Sequence, residues 1–175
     1  MTAILNTISE AANATRDTWE SARERAADFV ERPSAAGAGR GFVAGAAGAG
    51  IAAGLMYALH AAGAAPRPAF VRASRRLLGR HGVLIDHAAG LAGYALAGGI
   101  WGSGFGAVVR EPSVAKGMAY GLAPTAFNGA VIDPLIGNRP FAADRPKQAA
   151  INALLGVAVW GCFVGWFCGP PRRGR

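Results

Sequence analysis

Six polar residues stand out because they interrupt or border long apolar stretches: His60, Asp86, His87, Asn128, Asp133 and Asn152. Carboxylates beside imidazoles can relay protons or hold a metal ion. An ionisable group at membrane depth marks a functional site by default. The competing reading is structural. Asp86 and Asp133 then cap helices or pair with Arg80, Arg139 or loop amides. The spacing matches no zinc motif, so no metal ligand set and no cofactor is assigned. The chain also lacks a P-loop, a GxSxG elbow, HExxH and CxxC, and Ser103 has no base at useful spacing, so no enzyme activity is expected.

The elements that must carry these residues are four stretches rich in glycine and alanine, at about 41–65, 83–109, 114–136 and 149–168. Each approaches the roughly 20 residues a helix needs to cross a bilayer. The expected fold is all-α: a four-helix transmembrane bundle with glycine-rich helix interfaces, preceded by an N-terminal amphipathic helix. Threading the spans up and down puts His60, Asp86, His87, Asp133 and Asn152 near one membrane face, with Asn128 about a turn deeper. Asn128 falls on a stripe with Gly117, Gly121 and Pro124.

Composition agrees with this class. Of the 175 residues, 52% are hydrophobic and 16% charged, against about 25% charged in globular proteins. Mean hydropathy is only +0.26, because the apolar stretches are built from small residues and the charges gather in ends and loops. Residues 1–40 hold six acids and five arginines, and the rest of the chain four acids and thirteen Lys/Arg. A net charge of +8 can signal nucleic acid. Here the basic residues flank apolar spans, as anionic headgroups favour, so no nucleic-acid partner is assigned. Lys/Arg counts are similar on the two sides, so the positive-inside rule gives no firm orientation. The termini are read as cytoplasmic. Cys162 and Cys168 sit six apart on one helix, too badly oriented for a local disulfide. No cleavable signal peptide is expected, since residues 1–40 lack a continuous apolar run.

Residues 1–33 read as the amphipathic helix, with Ile4, Ile8, Ala12, Thr15, Trp19, Ala22, Ala26 and Phe29 at helical spacing. It either lies in the interface, docks a partner, or packs on the bundle. A linker follows at 34–40. A second amphipathic segment at 69–81 puts Phe70, Val71, Ser74, Leu77, Leu78 and His81 on one face. Arg72, Arg75, Arg76 and Arg80 take the other, facing lipid headgroups if the segment lies on a membrane. A basic tail closes the chain at 170–175.

Glycines at four-residue spacing occur in all four spans: Gly41, Gly45, Gly50 and Gly54; Gly98, Gly102 and Gly106; Gly117 and Gly121; Gly161 and Gly165. Such faces let helix backbones touch where lipid removes the hydrophobic drive. The pattern predicts a tight bundle; the alternative is that one such face points outward, for self-association or for docking onto other membrane proteins. Pro124 is expected to kink the third span. Trp101, Trp160, Trp166, Phe163 and Phe167 are expected to pack or to anchor at interfaces.

Residues 41–168 resemble the YagU-like group of small bacterial inner-membrane proteins. The pattern is carried by Gly41–His60 before a proline break, His87-Ala-Ala-Gly-Leu-Ala-Gly-Tyr94, Lys116-Gly-Met-Ala-Tyr-Gly-Leu-Ala-Pro124 and Ile132-Asp-Pro-Leu-Ile-Gly137. That group tends to place a histidine near the start of the last span, where this chain has Asn152. Gly98, Gly102 and Gly106 with Val109-Arg-Glu-Pro112 are also similar to Tim17-like translocase and respiratory accessory subunits. The resemblances imply a bacterial inner-membrane protein, or a scaffold role in a larger assembly. The expected function is a non-catalytic membrane scaffold or accessory subunit. The alternative is a small transporter or ion-conducting protein using the polar residues as a path.

Overall fold

The structure, a computed structural model, describes residues 34–169 apart from Arg110 and Asp144, together with Glu20, Ser21 and Arg23. The expected N-terminal helix at 1–33 and the tail at 170–175 lie outside the described residues, except that Glu20, Ser21 and Arg23 are helical and exposed.

The described chain is all-helical. Helix α1 is Ala35–Ala61, α2 is Ala69–Leu78 and α3 is Val83–Val108. Helix α4 runs without a break over 114–135, and α5 is Pro146–Cys168. Three helices, α1, α3 and α5, are long and apolar enough to cross a membrane, and they are compatible with an integral membrane protein. Helix α4 is not among them. Lys116, Tyr120, Asn128 and Asp133 dilute its apolar content.

Several boundaries differ from the sequence reading. Residues 35–40 are not a linker but the first turns of α1, because Ser34 is an N-cap whose Oγ accepts from the Gly37 N–H at 3.2 Å. Helix α1 stops at Ala61, so 62–65 are turn. Helix α5 begins at Pro146, where a proline costs no helical hydrogen bond. Helix α2 is shorter than 69–81, ending at Gly79 (φ +88°), and Gly82 (φ +103°) then redirects the chain into α3.

The helices form two antiparallel hairpins. In the first, α1 and α3 make the most extensive contact in the molecule. A methyl placed on Gly37, Gly41 or Gly45 would overlap the carbonyl oxygen of Gly106, Gly102 or Gly98 in turn. In the second, α4 packs on α5, with Gly117 against Gly161 and Gly165 and with Gly121 against Gly156. Backbones this close exchange dispersion and Cα–H contacts along the whole seam.

The hairpins meet where α1 touches α5. A core of Ala44, Ala49, Phe105, Val109, Trp160, Val164 and Cys168 fills this junction, flanked by Tyr94, Trp101, Val108 and Tyr120. Trp160 Nε1–H donates to the Gly45 carbonyl at 2.9 Å. A smaller cluster of Ala53, Phe70 and Val71 seats α2. Large apolar side chains such as Leu84, Leu96, Ile100, Leu122 and Trp166 stay exposed, more than 50% in each case. In water such a surface would be an aggregation hazard.

Candidate functional site at the polar end of the bundle

Helix α1 runs antiparallel to α3, and α4 antiparallel to α5. Trp160 meets Gly45, while Pro66 lies beside Arg145–Gln148, so α1 also opposes α5. The end of α1, the start of α3, the end of α4 and the start of α5 therefore share one end. Five of the six polar residues gather there. They do not form one site.

Asp86 is the most elaborately held. It lies in the first turn of α3 and is only 4% exposed. Its Oδ2 accepts from Arg75 Nε at 2.6 Å, and its Oδ1 accepts from the His81 backbone N–H at 3.0 Å. Ser74 Oγ–H donates to the Asp86 backbone carbonyl at 2.7 Å. These bonds tie α2 to the start of α3. Of the partners expected, the loop amide is present, but the cation is Arg75 and not Arg80. Arg75 lies on the inner side of α2 because Ser74 and Val71, one turn back, face α3. It is thus withdrawn from the row of arginines expected to face headgroups. Arg72 is half-buried, while Arg76 and Arg80 are exposed.

His87 points elsewhere. Its Nδ1 shares a hydrogen bond with the Tyr57 hydroxyl at 2.7 Å, and the two rings stack at 5.6 Å. Tyr57 also meets Phe70 edge-on, and Phe70 stacks on Tyr94. Gly90 makes this possible, since a methyl there would stand 2.7 Å from the Phe70 carbonyl oxygen. His60 is exposed and its Nδ1 bonds the Ala65 carbonyl, closing the turn after α1.

On the second hairpin, Asp133 is buried and accepts from Asn138 Nδ2 at 2.9 Å. Asn152 Oδ1 accepts from Gln148 Nε2 at 2.6 Å, an i, i+4 pair within α5. Asn128 departs from the sequence reading. It is exposed, whereas Gly117, Gly121 and Pro124 are buried. A π-turn begins at Asn128 and runs to Ile132. Its i→i+5 bonds add a residue to the turn and rotate the helix face. Gly129 then takes the inward place, against Phe141. A second π-turn in α5, Leu154–Trp160, resets its face in the same way, so buried Leu155 and Trp160 are five residues apart.

The polar residues other than Asn128 thus resolve into separate contacts: Asp86 and His87 tie α3 to α2 and α1, while His60, Asp133 and Asn152 bond close by in sequence. Among the described residues, no three His, Cys, Asp or Glu side chains are placed to hold a metal ion. An apolar groove of about 400 Å³ between α1 and α5, lined by Ile51, Val159, Cys162 and Phe163 among others, has no polar group to orient a substrate.

The glycines also divide. Gly41, Gly45, Gly98, Gly102, Gly106, Gly117, Gly121, Gly161 and Gly165 all lie where a methyl would collide with a neighbouring helix. Gly50 and Gly54 do not, since a methyl on either would meet nothing within 4 Å. They lie on the face of α1 turned away from both hairpins. Sequence spacing missed Gly37, Gly48 and Gly156, which also sit in tight contacts. Gly37 extends the Gly41–Gly45 row by one turn, a signal that was hidden by reading 34–40 as linker.

No family model matches this chain, and neither a curated protein nor a solved structure shows significant similarity to it.

Proposed function

We propose that this chain is a four-span integral membrane protein whose work is structural, as a scaffold or accessory subunit of a larger membrane assembly. The observation that carries the reading is the pair of glycine seams, α1 on α3 and α4 on α5. They leave backbone pressed on backbone where a transporter would keep a hydrated route. The polar groups point the same way. Asp86, Asp133, His87 and Asn152 are each bonded to a local partner, so they do not line a path.

Helix α4 serves as the fourth span in this reading. At ~1.5 Å per residue, 114–135 covers about 33 Å, enough for a hydrocarbon core of roughly 30 Å. Its polar residues are tolerable there because Asp133 lies near the end and Tyr120 packs against Phe105 and Trp160. Four spans put both termini on one side, taken as the cytoplasm. The bacterial inner membrane is proposed from the YagU-like pattern.

Partner contact is supported by what remains uncovered. Only 17% of the apolar window of α3 is buried, against 33% in α1 and in α5. Gly50 and Gly54 add an open small-residue face on α1. The test is a native gel of the tagged chain in mild detergent, with mass spectrometry of its band. A band far above 17.8 kDa that holds other proteins is expected. A band of this chain alone contradicts the accessory role.

A further inference from the structure

The surface around α2 carries a charge that nothing among the described residues answers. Arg75 is neutralised by Asp86. Arg76, one residue on, is exposed and has no carboxylate within ion-pair distance among the described residues. Its Nη1 reaches across to the other hairpin, 3.6 Å from where a Gly137 methyl would stand. Two residues further along that loop is Arg139, also exposed and without an ion-pair partner among the described residues. The Arg76 guanidinium of the first hairpin thus lies against the loop of the second that carries Arg139 two residues on.

Apolar side chains sit beside this charge. Leu77 and Leu78 on α2 are 74% and 62% exposed, and Leu84 at the start of α3 is 82% exposed. Helix α2 cannot turn over to hide its leucines. The Asp86 bonds and the packing of Phe70 on Gly90 fix its inner face. A fixed surface with arginines beside leucines complements a phosphodiester that has acyl chains attached, not a soluble anion.

Resting on the reading that α1 and α3 span the bilayer, we infer that Arg76 and Arg139 bracket the phosphate of an anionic phospholipid, with its acyl chains against Leu77, Leu78 and Leu84. The lipid would tie α2 of the first hairpin to the loop of the second. Each arginine near an anionic surface contributes roughly fivefold in affinity.

The test uses the full chain in phosphatidylcholine vesicles, with spin-labelled phosphatidylglycerol or phosphatidylcholine as probe. The expected result is a preference for phosphatidylglycerol that falls roughly fivefold in Arg76→Gln and again in Arg139→Gln. Arg76→Lys should retain it, and Arg40→Gln, at the opposite end, should leave it unchanged. Unaltered helicity in the glutamine variants excludes misfolding as the cause. Equal association of both lipids overturns the inference. So does an equal loss in Arg40→Gln, which would mark a diffuse charge effect, or displacement by inorganic phosphate alone, which would mark a site blind to the lipid. Extraction of the chain from vesicles by alkaline carbonate would remove the spanning reading itself. A chain that resists extraction yet shows no preference would overturn this inference alone.

Discussion

The indole N–H of Trp160 donates to the backbone carbonyl of Gly45 at 2.9 Å, and this bond crosses from one glycine-seamed hairpin to the other. The indole also packs against Gly48, where a methyl would stand 3.1 Å from its Cδ1, and stacks near Tyr120. Elsewhere the hairpins meet through side chains and not through backbone, with Trp101 and Phe105 of α3 against Tyr120 and Phe127 of α4. The weak boundary of the fold therefore runs between hairpins, and each hairpin should be the more stable unit.

Trp160→Phe tests that boundary. It keeps an aromatic ring but removes the donor, at a cost of about 1 kcal/mol for the bond. Thermal unfolding in detergent should begin earlier, with loss of contact between hairpins ahead of loss of helix. A Gly48→Leu change should act in the same direction and more strongly, because it pushes on the ring itself. An unchanged melting curve in both variants would mean the junction is held elsewhere.

The Arg75–Asp86 pair is expected to act as a latch for α2. Asp86→Ala removes the acceptor for both Arg75 and the His81 amide. It should free α2 from α3, leaving the loop 62–82 open to protease while the α1–α3 seam persists. Arg75→Gln should do so more mildly, because the amide bond to Asp86 survives. The double variant should be no worse than Asp86→Ala alone, as expected for two residues acting through one contact. Additive losses would show that the two side chains act independently.

Asn128→Leu should be nearly neutral for stability, within about 0.5 kcal/mol, because the side chain is exposed. Gly129→Ala one residue later should be harmful, since a methyl there comes within 2.9 Å of Phe141 Cε1. Phe141→Ala in the same chain should relieve much of that harm. Melting temperatures of the three variants in detergent decide it. A large loss from Asn128→Leu would restore the polar-path reading.

Asn128 also shows where the sequence stopped being legible. Apolar length placed the stretches, up-and-down threading placed the end of the bundle to which His60, Asp86, His87, Asp133 and Asn152 belong, and helical periodicity assigned the faces. That periodicity assumes 3.6 residues per turn, and a π-turn breaks the count without a residue signature of its own. The same assumption fails across Leu154–Trp160. The pairing of Asp86 with Arg75 was hidden for another reason. The two lie 11 apart in sequence, on elements joined by Gly79 and Gly82, whose positive φ values set the angle between α2 and α3. Gly50 and Gly54 have the same spacing as Gly41 and Gly45, and only the path of α3 and α5 separates packed glycines from open ones. A run of small residues states that a close contact is possible, not which face of the helix receives it.

The most direct test of the structural role compares Gly102→Leu with Gly54→Leu on the native gel of the intact assembly. A Cβ added at Gly102 would stand 2.7 Å from the Gly45 Cα, and one added at Gly54 would meet nothing within 4 Å. If the glycine seams make this protein a scaffold, Gly102→Leu loses the high-mass band at unchanged chain abundance, while Gly54→Leu keeps the chain folded and membrane-inserted. Normal migration and partner content in Gly102→Leu would contradict the account.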